Sequence, residues 1–189
     1  MSTLFPFEPQ YPEGFQYLPN FITEAEESHL LQAISETPLR TFMFQGYEAK
    51  RKVASFGQDW SFEHQRLTKG KAIPEAFKPL IHKVASYLSI QPEVFAELLL
   101  TEYPAGSVIN WHRDAPPFDL IAGVSLGSGC TFRLRPHDKA LQGKNSIISL
   151  PVQARSLYVM QGPSRSDWQH SIAPVKKVRF SITLRTLRL

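Results

Sequence analysis

The hydrophobic positions of this chain follow a helical spacing in its first half and an alternating spacing in its second half. Thr23, with Glu26 one turn later, forms a capping-box pattern that predicts a helix start, and Pro38 ends that segment. A second helix is predicted at residues 74–89, because Pro74 suits a first helical turn. Its expected buried stripe follows at helical spacing and consists of Phe77, Leu80, Ile81, Val84 and Leu88.

After residue 93 the pattern changes to short apolar or alternating runs that are separated by Gly and Pro. The runs cover residues 95–103, 108–111, 120–126, 131–135, 146–150, 156–160 and 178–185. Short strands with turn signals between them predict an antiparallel sandwich or barrel. Helices followed by strands predict an α+β fold in which the helices pack on one side of the sheets. Since no repeat or linker interrupts the chain, we expect a single domain over residues 1–189.

The segment between the two predicted helices, at about residues 40–72, shows no clear period. It mixes basic residues with aromatic ones, among them Lys52, Phe56, Trp60 and Lys69. Such a mixture fits a substrate-recognition lid, and it also fits a connecting hairpin with a solvated face. Composition alone favours the hairpin.

Composition sets limits on the class of protein. The 189 residues include one cysteine, Cys130, so an internal disulfide and a cysteine-based zinc site are both excluded. A reducing, cytoplasmic location is therefore expected. No run approaches the roughly 18–20 apolar residues of a membrane span, and no signal peptide is recognised at the start. The formal net charge of +4 permits a polyanionic partner without requiring one.

The strongest chemical signal is the segment that contains His112 and Asp114. In an extended chain these two residues point the same way and can bind one ion. His170, at the start of a late strand-like stretch, is the expected third ligand. The other histidines are expected in helices, in the basic segment or in a turn: His29, His64, His82 and His137. Two histidines and a carboxylate suit a non-heme iron oxygenase, although a zinc hydrolase or a coincidental pattern remains open.

The last predicted strand carries a second signal. Its alternation places Arg179, Ser181, Thr183 and Arg185 on one face, opposite Phe180, Ile182 and Leu184. A buried arginine is costly unless it is paired, so two of them on an inward face predict an anionic ligand such as a small dicarboxylate. The alternative is that this face is solvated. Tyr103 could reach the same anion.

These motifs together resemble the AlkB family of iron(II)/2-oxoglutarate dioxygenases. The resemblance is carried by Tyr103-Pro104-Ala105-Gly106, His112-x-Asp114, Trp168-x-His170 and Arg179-x-Ser181-x-Thr183-x-Arg185. It implies a double-stranded β-helix, or jelly roll, at about residues 95–186, with a recognition lid at about 40–72.

The resemblance also implies roles for the motif residues. His112, Asp114 and His170 would hold Fe(II), and Arg185 would bind the distal carboxylate of 2-oxoglutarate. Arg179 would lie near the metal-binding end of that molecule and orient Asp114. Tyr103 and Ser181 would complete the co-substrate site, and O2 would be the second co-substrate.

The reaction implied is oxidative demethylation of N-alkylated bases in DNA or RNA. We expect a monomer without an obligate protein partner and without a membrane. Phe56 and Trp60 are the candidates to stack on the substrate base, and Arg133, with Arg135, is a candidate either to contact phosphates or to cross the interior. Ser181 stands where the family often has Asn, and Pro116 stands where repair members often have an acid, so no base preference is implied. A protein or small-molecule substrate, or a non-catalytic β-sandwich binding module, are the alternatives.

Overall fold

The computed structural model describes residues 10–44, 46–61, 63–143 and 145–188. The helices in these ranges are α1 (Glu24–Ser35), α2 (Lys78–Leu88) and the single turn α3 (Pro163–Ser166). The strands are β1 (Phe15–Leu18), β2 (Arg40–Phe44), β3 (Tyr47–Ser61), β4 (Arg66–Lys69), β5 (Phe95–Tyr103), β6 (Ile109–His112), β7 (Phe118–Leu126), β8 (Cys130–Pro136), β9 (Ile148–Val152), β10 (Leu157–Met160), β11 (Trp168–Ile172) and β12 (Arg179–Leu187). Within the described ranges, no helix has the length and apolar character needed to cross a membrane.

The strands form two antiparallel sheets. The larger sheet has the order β1-β10-β7-β12-β5-β3-β2, with β4 paired to β3, and the smaller sheet has the order β6-β11-β8-β9. A buried apolar cluster between them draws on both sheets, with Tyr103, Ile121 and Tyr158 from the larger and Phe132 and Leu150 from the smaller. This two-sheet arrangement confirms the predicted jelly roll with few helices.

The two long helices cover the outer face of the larger sheet. The capping box predicted at Thr23 is present, because Thr23 Oγ1 accepts from the Glu26 backbone N–H while Glu26 accepts from that of Thr23. Apolar residues of α1 and α2 form a second buried cluster with Leu98, Ile182 and Leu184 of the sheet. Both faces of β12 are therefore buried: its apolar side chains lie against the helices, and its polar ones lie between the sheets.

The basic and aromatic segment is an ordered part of the larger sheet. Strands β2, β3 and β4 are antiparallel neighbours, and β3 also pairs with β5. The segment therefore forms antiparallel hairpins, and the substrate-recognition lid stays a prediction.

A glycine in β3 separates the two aromatic residues proposed to stack on substrate. Gly57 has φ +84°, and a Cβ there would lie 2.2 Å from the Ala96 carbonyl oxygen, so only glycine fits. At this residue β3 changes its pairing partner from β5 to β4. Phe56 is buried in the helix-side cluster, whereas Trp60 packs against the cluster between the sheets. The prediction that Phe56 stacks on a substrate is wrong, because its ring is enclosed in the core behind the sheet.

Candidate metal centre and co-substrate pocket

Three potential metal ligands meet at one end of the smaller sheet. His112 on β6 lies directly opposite His170 on β11, and Asp114 follows β6 by two residues. Oδ1 of Asp114 lies 3.7 Å from His112 Nε2 and 3.4 Å from His170 Nε2. One ligand atom from each residue falls within 4.8 Å of the others. Ligands about 2.1 Å from a shared ion have such separations, so this group could hold one metal ion.

The surroundings of the two imidazoles suit metal binding. Nδ1 of His112 donates a hydrogen bond to the Asn110 carbonyl oxygen at 2.8 Å, which leaves the Nε2 lone pair free for a metal. Burial, together with the nearby His112, lowers the pKa of His170 to about 3, with Asp114 opposing the shift. His170 is therefore unprotonated at neutral pH, as metal binding requires.

The two carboxylate oxygens of Asp114 have different partners. Oδ1 faces the histidines, and Oδ2 accepts a hydrogen bond from Arg185 Nε at 2.7 Å. Burial alone would raise the pKa of Asp114, but Arg185 and the two histidines hold it well below its ordinary value. Asp114 is thus ionised and offers a single oxygen toward the candidate metal position.

Arg185 is bound to two acids, through Nε to Asp114 and through Nη1 to Glu97. Its Nη1 donates to Glu97 Oε2, and Ser55 Oγ donates to the other oxygen of Glu97 at 3.1 Å. Burial raises the pKa of Glu97, while the cation of Arg185 opposes that shift. Although burial opposes its charge, Asp114 and Glu97 raise the pKa of Arg185 above its ordinary value. The row from Asp114 through Arg185 to Glu97 is a continuous chain of buried charges.

Arg179 is a buried cation with unused donors. It is 0% exposed, and its Nε donates to Ser125 Oγ at 2.9 Å. Its guanidinium carbon lies 4.8 Å from the centroid of the Tyr103 ring, and Ser181 Oγ donates to the Tyr103 hydroxyl at 3.5 Å. Among the described residues, neither Nη atom of Arg179 has a hydrogen-bond partner. A buried guanidinium with free donors requires an anion, and a carboxylate fits its fork.

The geometry reverses the roles predicted for the two arginines. Arg185 was expected to bind the distal carboxylate of 2-oxoglutarate, and Arg179 was expected to orient Asp114. Instead, Arg185 contacts Asp114 and has its other edge on Glu97, while Arg179 has the vacant donors. Both arginines, Ser181 and Tyr103 do lie between the sheets as predicted.

Tyr158 is a member of this pocket that sequence reasoning missed. Its strand pairs with β7 so that Tyr158 lies opposite Gly123. A Cβ at Gly123 would fall 2.2 Å from the Tyr158 Cζ, which shows that the ring lies flat over the glycine. Burial, together with Tyr103, raises the pKa of Tyr158, so its hydroxyl is protonated and can donate. A lone glycine inside the apolar run of β7 was the available signal.

An open cavity of about 1060 Å³ reaches one of the three metal ligands, Asp114. Pro116 also lies in its wall, and Trp60 borders it from β3. Its other lining includes basic and acidic side chains, namely Glu63, Arg113, His137, Arg165 and Arg188. Trp60 therefore lies at the cavity that contains Asp114, and its contact with a substrate stays a prediction.

Arg133 does not line this cavity. Its Nε donates to Ser171 Oγ at 2.9 Å, and its guanidinium lies 5.1 Å from the centroid of the Trp111 ring. Ser171 follows His170 on β11, and since His170 points between the sheets, Ser171 and Arg133 belong to the outer face of the smaller sheet. The structure does not bring Arg133 to the candidate site, so the predicted substrate contact is not supported.

The 2OG-Fe(II) oxygenase superfamily model matches residues 14–188. The chain belongs to this superfamily. Its cofactors are therefore Fe(II), 2-oxoglutarate and O2, and it is a dioxygenase. The residues present fit these groups, because two histidines and an ionised carboxylate suit Fe(II), and the free Nη atoms of Arg179 suit a carboxylate of 2-oxoglutarate.

Curated relatives of this 2OG-Fe(II) oxygenase are AlkB homologues, which confirms the resemblance in the motifs. The mouse tRNA (carboxymethyluridine(34)-5-O)-methyltransferase ALKBH8 is 29% identical over 174 residues, which span 87% of this chain but 25% of the mouse protein. The human DNA oxidative demethylase ALKBH2 is 27% identical over 158 residues, which span 76% of this chain and 59% of the human protein.

Solved structures share the fold at low sequence identity. OsALKBH1 superposes with a TM-score of 0.72 at 14% identity, covering 94% of this chain and 99% of its own. A Pseudomonas putida prolyl-4-hydroxylase has a TM-score of 0.65 at 15% identity and covers 93% of each chain. These likenesses confirm the jelly-roll fold.

Proposed function

We propose that this dioxygenase removes alkyl groups from nitrogen atoms of bases in DNA or RNA. The observation that carries the proposal is the cavity, which places Trp60 and two exposed arginines, Arg113 and Arg188, around an opening that ends at Asp114. A planar base can stack on an indole, and guanidinium groups at the rim can bind the flanking phosphates. The sequence pI of about 9.2 supports a polyanionic substrate.

In this proposal three side chains hold the metal. His112 Nε2, His170 Nε2 and Asp114 Oδ1 would be its ligands, and a set of two histidines and one carboxylate is typical of iron oxygenases that also bind co-substrates. When bound, Fe(II) would supply the oxidation in which one atom of O2 goes to the alkyl carbon, which leaves as an aldehyde, and the other goes to 2-oxoglutarate, which becomes succinate and CO2. Arg185 holds Asp114 Oδ2, so the carboxylate is fixed and binds through one oxygen.

Arg179 is assigned to the far end of 2-oxoglutarate. Its free Nη atoms donate to the distal carboxylate, while Ser125 fixes the guanidinium through Nε. Tyr103 and Ser181 lie beside it, and the Tyr103 hydroxyl is free to donate to the same anion because it accepts from Ser181. Binding at this end orients the co-substrate before the substrate base enters.

The relatives support the substrate class. Those from human and zebrafish are named as a DNA oxidative demethylase and a probable RNA/DNA demethylase. The mouse relative is named as a tRNA methyltransferase, and only a quarter of its length corresponds to this chain.

The single cysteine of this chain supports action in a reducing compartment, the cytoplasm.

Succinate release measured across a panel of methylated DNA and RNA oligonucleotides tests the proposal. We expect at least one N-methylated oligonucleotide to raise succinate release above the level in buffer, with loss of that response in Asp114→Ala. Trp60→Ala is expected to lower the stimulated rate while leaving succinate release without substrate unchanged. If every methylated oligonucleotide fails while the protein still turns over 2-oxoglutarate, the substrate is of another class.

A further inference from the structure

The single turn α3 lies directly before the strand that carries His170, and it contains a buried arginine. Arg165 is 5% exposed and points away from its own helix toward the turn that follows β6. That turn begins with Asp114. Arg165 therefore lies between the two segments of chain that carry metal ligands.

One nitrogen of Arg165 contacts three carbonyl oxygens of this turn. Nη2 donates to the carbonyls of Asp114 at 3.2 Å, Ala115 at 2.8 Å and Phe118 at 2.9 Å. In the opposite direction, Arg113 Nη1 donates to the Ser166 carbonyl at 2.7 Å. The two arginines thus bind the Asp114 turn and α3 to each other.

Asp114 needs such support because it lies outside the strands. His170 is held on both sides, since β11 pairs with β6 and with β8. Asp114 follows the last residue of β6 and has no place in either sheet. Arg185 fixes its carboxylate, but the position of its backbone depends on the turn. Without Arg165, the carbonyls of that turn would lose the hydrogen bonds that Nη2 donates to them.

The arrangement is costly if its purpose is packing alone. Burying a guanidinium carries a large desolvation penalty, and Nε of Arg165 has no hydrogen-bond partner among the described residues. Burial also lowers the pKa of Arg165. We expect a buried arginine to bind backbone carbonyls, despite its desolvation penalty, where the backbone must be held in one position.

We infer that Arg165 is a positioning residue for the metal centre, which acts by holding the backbone of Asp114 in register with His170. This inference rests on the proposed metal site. Loss of a group that orients a metal ligand lowers metal affinity by roughly 10- to 100-fold. A purely structural arginine would lower the unfolding midpoint without changing metal affinity.

The test is a titration of the protein with Mn²⁺ alone, followed by electron paramagnetic resonance, in wild type and in two variants. Arg165→Gln is expected to bind Mn²⁺ roughly 10- to 100-fold more weakly than wild type. Arg165→Lys is expected to lie between them, because an ammonium has three donors for the three carbonyls but sits on a shorter stem. If Arg165→Gln does not fold, Arg165→Lys decides the question through the same measurement.

Arg155→Gln is the matched control. Arg155 binds Glu27 of α1 at 3.1 Å, on the helix side of the larger sheet, so its loss should lower stability and leave Mn²⁺ affinity unchanged. Equal Mn²⁺ affinity in wild type and the Arg165 variants would overturn the inference and leave the metal site intact. Absence of Mn²⁺ binding by wild type would overturn the metal site and this inference with it.

Discussion

Arg185 donates its Nε–H to Asp114 Oδ2 at 2.7 Å, which ties the last arginine of the polar face of β12 to the candidate metal ligand. Its Nη1 is bound to Glu97 at the same time. Arg179, on the same face, has two Nη atoms without a partner among the described residues. Because Arg185 is already bound to the metal ligand and to Glu97, whereas both Nη atoms of Arg179 lack a partner, we assign Arg185 to the metal centre and Arg179 to the distal carboxylate of 2-oxoglutarate.

Replacement of Arg185 by Ala is expected to damage both stability and metal binding. It leaves Asp114 and Glu97 as two buried carboxylates without their counter-charge, and breaking a buried ion pair costs about 3–5 kcal/mol. We expect the urea unfolding midpoint to fall by the corresponding amount and Mn²⁺ to bind more weakly. Equilibrium unfolding and a metal titration on the same preparation measure both effects.

A second substitution checks the cause. Adding Glu97→Gln to Arg185→Ala removes one of the two uncompensated carboxylates, so the double variant should be more stable than the single one. A double variant that is no more stable than Arg185→Ala would show that Glu97 is not the partner whose charge matters.

The alternation of β12 was sufficient to predict which of its residues face inward. Polar and apolar side chains alternate strictly from Arg179 to Arg185, and both faces are covered in the fold, so no other register is compatible with burial. The capping box at Thr23 could also be predicted from the sequence, because it depends only on residues within one helical turn.

The roles of the two arginines could not be predicted in the same way. They depend on Glu97, which reaches Arg185 only because β5 and β12 pair in that register. An acid inside the apolar run 95–103 was the available signal, since a buried carboxylate needs a cation. The positions of Phe56 and Trp60 depended on Gly57, whose positive φ lies between them at the point where β3 changes its partner from β5 to β4.

The metal-free protein is expected to lose stability as the pH falls from about 6.5. The pKa of His170 is about 3 in the folded chain, against an ordinary value of 6.5. Between these two pH values the unfolded chain binds a proton at His170 and the folded chain does not. The free energy of unfolding therefore decreases on acidification across this window. His170→Gln, which has no such proton to bind, should show a smaller decrease.

Unfolding by urea at several pH values between 6.5 and 4.5 measures the effect. In this window the carboxylates of the unfolded chain remain largely ionised, so His170 dominates the difference between the two proteins. The same pH dependence in wild type and in His170→Gln would show that the fold does not lower the pKa of this histidine.

Substitution of Gly123 by Ala is expected to disturb the co-substrate pocket through Tyr158. The added Cβ would lie 2.2 Å from the Tyr158 Cζ and 2.4 Å from its hydroxyl, so the ring must move off the sheet and into the space between the sheets. Overpacking of this kind costs about 1–3 kcal/mol. We expect a lower unfolding midpoint and weaker binding of 2-oxoglutarate, measured by calorimetry.

The cause can be isolated by a double-mutant cycle with Tyr158→Ala. Once the ring is absent, the alanine at position 123 meets no obstacle, so the second substitution should cost much less than it does in wild type. Additive effects of the two substitutions would show that Tyr158 is not what Gly123 accommodates.

The central claim is that one arginine serves the co-substrate and the other serves the metal, and Arg179→Gln tests it most directly. The measurement is the affinity for 2-oxoglutarate at saturating Mn²⁺, together with the affinity for Mn²⁺ alone. Truncating one partner of a buried charged hydrogen bond costs about 2–5 kcal/mol, which is roughly a 30-fold or greater loss of affinity. We predict that loss for 2-oxoglutarate, with Mn²⁺ affinity unchanged within a factor of about two. Unchanged 2-oxoglutarate affinity, or an equal loss for both ligands, would contradict the account.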